Sequence, residues 1–345
     1  MASAPASYPT RSTHHLSLAS IKPQKSYPGG FRIDVHVDDL PVLQGMALSL
    51  LTLEPLGVRE PHWPPNANEL SYVLSGTGLM TLFTPRAGHD TFTLQAGETV
   101  IVPKGYLHHI ENIGDTPLQM ALCFDHEAPE DLDLSLSVSV MPHHILAGTF
   151  RSNTTFFDRL KKHTHSVFIS QKSQATKPTH PFITSPHKFD LDAQQAQITN
   201  KGGWVKMTNR ALLPTLDGLT LYTLLLHPKG AREPHWHPNA NELNYLVSGS
   251  ARITLLSPNG SIDTFDMKPG DMSFLPQGYL HYIENTSHED AFFAIFFNNT
   301  SPNDIGLTGG IGAYPDDLLA PLFDVTPDYF SKLPKPEQDI LIITS

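Results

Sequence analysis

Short apolar runs separated by polar turn residues recur along most of the chain, and this pattern predicts an antiparallel β protein. In the second half the runs span 220–228, 243–249, 251–258 and 271–278, each closed by Gly or Pro. The turn signals lie about ten residues apart, a spacing typical of a small barrel or jelly roll. Helical periodicity is restricted to later segments, at 143–150, 153–162, 316–323 and 326–333. The predicted fold class is therefore all-β with minor α.

The two halves of the chain repeat one another at a constant offset. Residues 57–78 align without a gap with 230–251, and 15 of those 22 positions are identical. The match runs from about 14 to 160 and from about 187 to 333, and a polar Ser/Thr/Pro-rich segment separates the copies. We therefore predict two domains, 1–178 and 179–345, each a barrel followed by short helices and superposable by a shift of 173 residues.

Composition limits the classes of partner. The formal net charge is −11 and only 17% of residues are charged, which argues against nucleic acid and against anionic membrane surfaces. No apolar run spans a bilayer and the N-terminus lacks a secretory apolar core, so a cytoplasmic location is the default expectation. Cys123 is the single cysteine, which excludes intrachain disulfides and a thiolate metal cluster. His14 and His15 are expected at the surface.

Polar residues of the second repeat are spaced as metal ligands. His235 and His237 are two apart, so on a strand both imidazoles project from one face. Glu242 begins the next apolar run, and His281 follows a turn 39 residues later. Three imidazoles and one carboxylate suit a divalent ion such as manganese, iron, nickel, copper or zinc. The alternative is a set of hydrogen-bonded histidines that line a polar barrel.

The first repeat keeps only part of this set. His62, Glu69 and His108 match three of the four residues, but Pro64 stands where the second repeat has His237. Proline offers no donor atom, so two histidines and one carboxylate remain, a set that leaves coordination positions open. The alternative, which we expect, is a degenerate site that binds metal weakly or not at all.

These spacings resemble a known family. The second repeat reads Gly230-x4-His235-x-His237-x4-Glu242-x6-Gly249 and then Gly270-x5-Pro276-x-Gly278-x2-His281-x3-Asn285. This resembles the two-part motif of the cupin superfamily, and two copies in one chain resemble a bicupin. The phrase REPHWH at 232–237 is similar to that of oxalate decarboxylases. The resemblance implies two double-stranded β-helix barrels that hold metal, with manganese as the first expectation.

The resemblance also assigns roles and shows departures. Arg232 matches an arginine that steadies the substrate carboxylate, and the alternative for it is a structural ion pair with Glu233. Four residues separate His237 from Glu242, a gap more like that of germins than of oxalate decarboxylases. Pro302 stands where the latter carry the glutamate that shuttles protons, and proline cannot do so. Asp304 is the candidate substitute, so we expect oxalate decarboxylation to be weak or absent.

The first repeat offers Glu130 and Asp131 in the segment that corresponds to 301–304. The resulting prediction is a metal-dependent, oxalate decarboxylase-like bicupin that acts on or binds a small carboxylate through Arg232 and Asp304. Two alternatives stay open: an oxygen-dependent enzyme of oxalate oxidase or dioxygenase type, and a non-catalytic binding or storage protein. Association into a homo-oligomer through barrel faces and helical ends is a further expectation.

Overall fold

The computed structural model describes residues 12–175, 184–336 and 339–344. Within these residues the strands form four antiparallel sheets, two in each half of the chain, and each pair of sheets closes around its own apolar core. This arrangement confirms the predicted fold class of two tandem cupin-type barrels with few short helices.

In most of the longer strands of the first barrel at least half of the positions are buried, and Gly88–Gln95 is the exception. The strands of this barrel span Lys25–Tyr27, Gly30–Val35, Ala47–Leu53, Gly57–Trp63, Glu69–Ser75, Thr77–Thr84, Gly88–Gln95, Glu98–Val102, His108–Asn112, Leu118–Phe124, Leu132–Asp133 and Ile169–Gln171. Those of the second barrel span Ile198–Asn200, Gly203–Met207, Thr220–Leu226, Gly230–Trp236, Glu242–Ser248, Ala251–Leu256, Ile262–Met267, Asp271–Leu275, Leu280–Asn285, Ala291–Phe297, Ile305–Gly306 and Ile342–Thr344.

Helices follow the last long strand of each barrel. They span Leu134–Ser139, His143–Phe150, Thr154–Phe157, Leu307–Gly312, Asp316–Leu319 and Pro327–Phe330, with short 3-10 turns at Leu18–Ser20, Pro85–Ala87 and Ala320–Leu322. The predicted helix at 143–150 is confirmed to the residue, whereas the other predicted helices are shorter than expected. The helices at 134–139 and 307–312 were not predicted. Asp133 at the N-cap of the first makes no capping hydrogen bond, and Gly306 at the N-cap of the second has no side chain to make one.

The two barrels are equivalent strand by strand, as the repeat predicts. His62 pairs with His108 across neighbouring strands of the first barrel, and His235 pairs with His281 in the same way in the second. In both barrels the register shifts just before this pair on one of the two strands. Such a bulge turns side chains that would otherwise alternate between faces.

Each barrel borrows one strand from the other half of the chain. The segment His15–Ser17 pairs with Asp271–Leu275 of the second barrel, and Lys188–Asp190 pairs with Glu98–Val102 of the first. His14 is buried and its Nδ1 donates to the Phe274 carbonyl at 3.0 Å, so the prediction that it lies at the surface is wrong. The predicted domain boundary at 178/179 falls outside the described residues and stays a prediction.

A third apolar cluster joins the barrels to one another. It includes Leu70 and Tyr72 from the first barrel and Leu243 and Tyr245 from the second, which occupy equivalent positions in the repeat. Burial of such side chains contributes roughly 1.5–3 kcal/mol each, so the two barrels stabilise one another. Among the described residues no helix has the length and apolar character needed to cross a membrane.

Candidate metal centre

Two adjacent strands bring the histidines of the second barrel together. His235 lies on Gly230–Trp236 and His281 on Leu280–Asn285, and their ring centroids are 4.3 Å apart. His237 follows directly after the first of these strands, with its ring centroid 4.9 Å from that of His235. Glu242 opens the next strand. The structure therefore places all four predicted residues at one point inside the barrel.

The ligand atoms of this cluster are within reach of a single ion. Glu242 Oε2 lies 2.7 Å from His237 Nε2, 3.2 Å from His281 Nε2 and 4.0 Å from His235 Nε2. All four ligand atoms lie within 4.8 Å of one another, and all four residues are buried. Glu242 Oε1 has no hydrogen-bond partner among the described residues. A buried carboxylate oxygen without a donor fits a cation, because burial without compensation is costly.

Backbone carbonyls fix the orientation of the imidazoles. His235 Nδ1 donates to the Glu233 carbonyl at 2.7 Å, and His281 Nδ1 donates to the Tyr279 carbonyl at 2.8 Å. With the proton held on Nδ1, the Nε2 lone pair of a neutral ring points into the cluster. Burial, the charge of Arg232 and the neighbouring histidines lower the pKa of His235 well below its ordinary value, which keeps it neutral.

The carboxylate and His237 form a charged pair. Burial opposes the protonated form of His237, but its hydrogen bond to Glu242 and that residue's charge outweigh this and raise its pKa. Burial likewise favours the neutral form of Glu242, but the charge of His281 and hydrogen bonds from His237 and His281 hold its pKa well below the ordinary range. A divalent ion between these atoms would take the place of the shared proton.

Arg232 contacts Asp304 and not Glu233. Its Nη2 lies 2.8 Å from Asp304 Oδ1, and its Nη1 donates to the Leu341 carbonyl at 3.0 Å. Asp304 Oδ1 is also 3.1 Å from His237 Nδ1. Arg232 therefore does form an ion pair, as the structural alternative held, but its partner is not Glu233, whose carboxylate accepts hydrogen bonds from Thr308 and from the Leu341 backbone. Both predicted catalytic residues lie beside the cluster.

Asn239 positions the chain segment that leads to Asp304. Its side-chain amide donates to the Ser301 carbonyl at 3.0 Å, and its Oδ1 accepts from the Asn303 backbone at 2.8 Å. Asn239 is one of the four residues between His237 and Glu242. The longer gap therefore supplies the side chain that ties this segment down, a function that the spacing alone did not reveal.

A small cavity of about 30 Å³ adjoins the second-barrel cluster. Polar residues on its wall are Arg232, His235, His237, Glu242 and Asp304. The remaining wall is built largely from apolar and aromatic side chains: Ile198, Val205, Met207, Tyr222, Leu224, Ile283, Ile295, Phe297 and Leu341. Burial, together with the charge of Asp304, raises the pKa of Tyr222, so its hydroxyl stays protonated and able to donate.

The three predicted residues of the first barrel also converge, but the carboxylate there has different hydrogen-bond partners. The rings of His62 and His108 lie 4.1 Å apart, and His108 Nε2 is 3.6 Å from Glu69 Oε2. The other carboxylate oxygen of Glu69 accepts a hydrogen bond from Ser71 Oγ at 2.9 Å. Oε1 of Glu69 thus has a donor, whereas Oε1 of Glu242 has none among the described residues. Pro64 supplies no fourth ligand to the first barrel.

Charged side chains fill the first barrel where the second has its cavity. Asp131 lies 2.9 Å from Arg32 Nη1 and 3.1 Å from Arg59 Nη2, and Arg59 also contacts Asp133. The Arg59 guanidinium lies 3.8 Å from the centre of the Phe168 ring. We call these five residues, together with Asp34 beside Arg32, the ionic plug. Glu130, the other acid predicted here, is exposed.

Comparison with known proteins gives the family. The model of the family described as Cupin matches residues 16–155 and 189–328, which is most of the chain. The chain belongs to the cupin family. Because the model matches once in each barrel, this cupin is a bicupin, and the resemblance seen in the sequence is confirmed.

The relatives of this bicupin include oxalate decarboxylases. It is 27% identical to an oxalate decarboxylase of Arthroderma benhamiae, over 93% of this chain and 83% of that protein. It is 23% identical to an oxalate decarboxylase of Bacillus subtilis, over 91% of this chain and 83% of that protein. A solved structure of the Bacillus subtilis protein superposes with a TM-score of 0.86 at 22% identity, covering 99% of this chain and 90% of that one. The bicupin is thus oxalate decarboxylase-like in sequence and fold.

Sequence reasoning missed the ionic plug of this cupin and the apolar wall of its second barrel. The repeat contained the signal, because the shift of 173 residues places Lys25, Arg32, Asp34, Ser49 and Phe168 on Ile198, Val205, Met207, Tyr222 and Leu341. At three of these five positions, 25, 32 and 34, a charged residue of the first copy is replaced by an apolar residue in the second, whereas the motif residues barely change.

Proposed function

We propose that this bicupin is a metal-dependent enzyme that acts on a small carboxylate in its second barrel, with a decarboxylase-like reaction. The observation that supports it most is that Arg232 and Asp304 border the same cavity as three of the four residues of the cluster, His235, His237 and Glu242. In the first barrel, residues of the ionic plug stand at positions that correspond to lining residues of this cavity. The role of the first barrel is then structural.

The metal would be held by His235, His237, Glu242 and His281. We propose manganese, and support comes from the Mn(II) centres that are named for the Bacillus subtilis oxalate decarboxylase, a structural neighbour with a TM-score of 0.87. When bound, such an ion acts as a Lewis acid that polarises a carboxylate oxygen.

Arg232 would orient the substrate, and Asp304 would supply a proton to it. The Arg232 fork orients a carboxylate through paired hydrogen bonds, for which its rigid planar geometry is suited. Loss of carbon dioxide breaks a carbon–carbon bond, and the remaining carbon must then receive a proton. Asp304 lies 2.8 Å from Arg232 and its side chain is 23% exposed, so it can take that proton from solvent and deliver it inside the cavity.

Arg232→Lys should weaken binding of the carboxylate about tenfold or more, because lysine keeps the charge but loses the fork. Metal content should not change, since Arg232 is not one of the four ligand residues. Calorimetric titration of manganese-loaded protein with small carboxylates measures the first quantity and elemental analysis the second. The control is Arg252→Lys, which alters an exposed pair with Asp266 on the outside of the barrel. Equal binding by both variants would contradict the role of Arg232.

Asp304→Asn should lower the rate of carbon dioxide release by about 10²–10⁴ while binding persists, as expected when a general acid is removed. The matched control is Asp266→Asn, which should leave the rate unchanged.

With oxalate itself we expect slow release of carbon dioxide or none, because Pro302 stands where oxalate decarboxylases carry the proton-transferring glutamate. Production of peroxide instead would support the oxygen-dependent alternative, and binding without any product would support the storage alternative.

A further inference from the structure

The wall of the second-barrel cavity is unusual for a site that takes a dicarboxylate. Apolar side chains line the same space as the metal-ligand residues, among them Ile198, Val205, Met207 and Leu341. Arg232 is the only lysine or arginine among the described residues that line it, and Asp304 already pairs with that arginine. A second carboxylate would lose its hydration against this wall without gaining a cation, which is unfavourable.

The first barrel shows how the same framework compensates an additional carboxylate. Asp131, the counterpart of Asp304, contacts two buried arginines, Arg32 and Arg59. The additional carboxylate is Asp34, which stands where the second barrel has Met207, and it pairs with Arg32. The second barrel keeps the counterpart of Arg59, which is Arg232, but carries Val205 in place of Arg32. Strand pairing supports this equivalence, since Lys25 faces Arg32 in one barrel and Ile198 faces Val205 in the other.

Resting on the proposed function, we infer that the substrate is a small monocarboxylate with a short apolar substituent, and not oxalate. Its carboxylate lies at the metal and Arg232, while the substituent packs on Val205, Met207 and Leu341. The Tyr222 hydroxyl, on the same wall, can donate to an oxygen carried next to the carboxylate. The cavity of about 30 Å³ limits the substituent to a few carbon atoms.

The test is a binding series that adds one carbon at a time. Acetate, propionate and isobutyrate are titrated into manganese-loaded protein by calorimetry, with oxalate as the dicarboxylate. Each added carbon should lower Kd about fourfold, the effect of burying one methylene group. Kd values that do not change along the series, with oxalate still bound, would overturn this inference and leave the proposed function intact. If no carboxylate binds, the proposed function itself is wrong.

A wall variant separates packing from general carboxylate affinity. Met207→Ala removes apolar surface from the cavity, so the ratio of isobutyrate to acetate affinity should fall severalfold while acetate binding persists. Met267→Ala is the matched control, because Met267 is buried in the same barrel but does not line the cavity. An unchanged ratio in Met207→Ala, or an equal fall in both variants, would contradict the assignment of this wall to the substrate.

Discussion

Replacing Glu242 with alanine should remove most of the metal from the protein, whereas Glu69→Ala should change metal content little. Glu242 is the single carboxylate of its cluster, and its Oε2 lies within 3.2 Å of two imidazoles. Loss of even a supporting residue around a metal weakens binding by about 10–100-fold, and loss of a ligand should exceed this. The first barrel has one ligand fewer, and Ser71 already satisfies one oxygen of Glu69.

Elemental analysis of protein purified without chelator measures this directly. The wild-type chain should hold close to one ion, as expected from one four-residue cluster and one incomplete cluster. The two glutamate variants control for one another, because both remove a buried carboxylate at equivalent positions of the repeat. Equal metal loss from both would show that the first barrel is also occupied and would reject the asymmetry between the sites.

Replacing Asp131 with asparagine should lower the free energy of unfolding by about 3–5 kcal/mol, the cost of breaking a buried ion pair. The change leaves Arg32 and Arg59 buried with less compensating charge. The matched variant Asp304→Asn should cost less, because Asp304 pairs with one arginine and is more exposed than Asp131. Urea unfolding followed by circular dichroism gives both values.

The destabilisation should depend on pH in a defined direction. Burial alone would raise the pKa of Asp131, but the charges of Arg32 and Arg59 outweigh it and hold this pKa far below its ordinary value. A carboxyl with a lowered folded-state pKa stabilises the fold above its unfolded pKa and loses that contribution as the pH falls. The difference between wild type and Asp131→Asn should therefore be full at neutral pH and shrink below about pH 4. A difference that persists in acid would exclude the ionic mechanism.

The sequence predicted those parts of the site whose residues lie close together in the chain. His235, His237, Glu242 and His281 lie in two short motifs whose spacing is set by one strand and one turn, so they could be found without the fold. Asp304 was a candidate only because it lies two residues after Pro302, the position that matches the proton-shuttling glutamate of oxalate decarboxylases. Its contact with Arg232 depends on a segment that Asn239 holds in place, and no pattern of residue types predicts that pairing.

The fold was likewise predictable from local patterns but not in its long-range strand pairing. Alternation and turn spacing gave the barrels, and the repeat gave their equivalence. Short strands such as His15–Ser17 carry too few side chains to specify a partner. The pairing of His15–Ser17 with the second barrel depends on contacts more than 250 residues apart in the chain, such as that of His14 with Phe274.

This exchange of strands bears on how the two halves can evolve. A half-chain that ended before Lys188 would leave Glu98–Val102 as an open sheet edge, and an open edge is a site for pairing between molecules. A single-barrel protein with the same short strand would have to pair it with the barrel of a second copy, and the second copy's strand would pair with its own barrel. When the two copies are fused, this exchange of strands takes place within one polypeptide. The first half of the chain can therefore lose its chemistry without becoming dispensable, because its segment His15–Ser17 covers the strand Asp271–Leu275 of the second barrel.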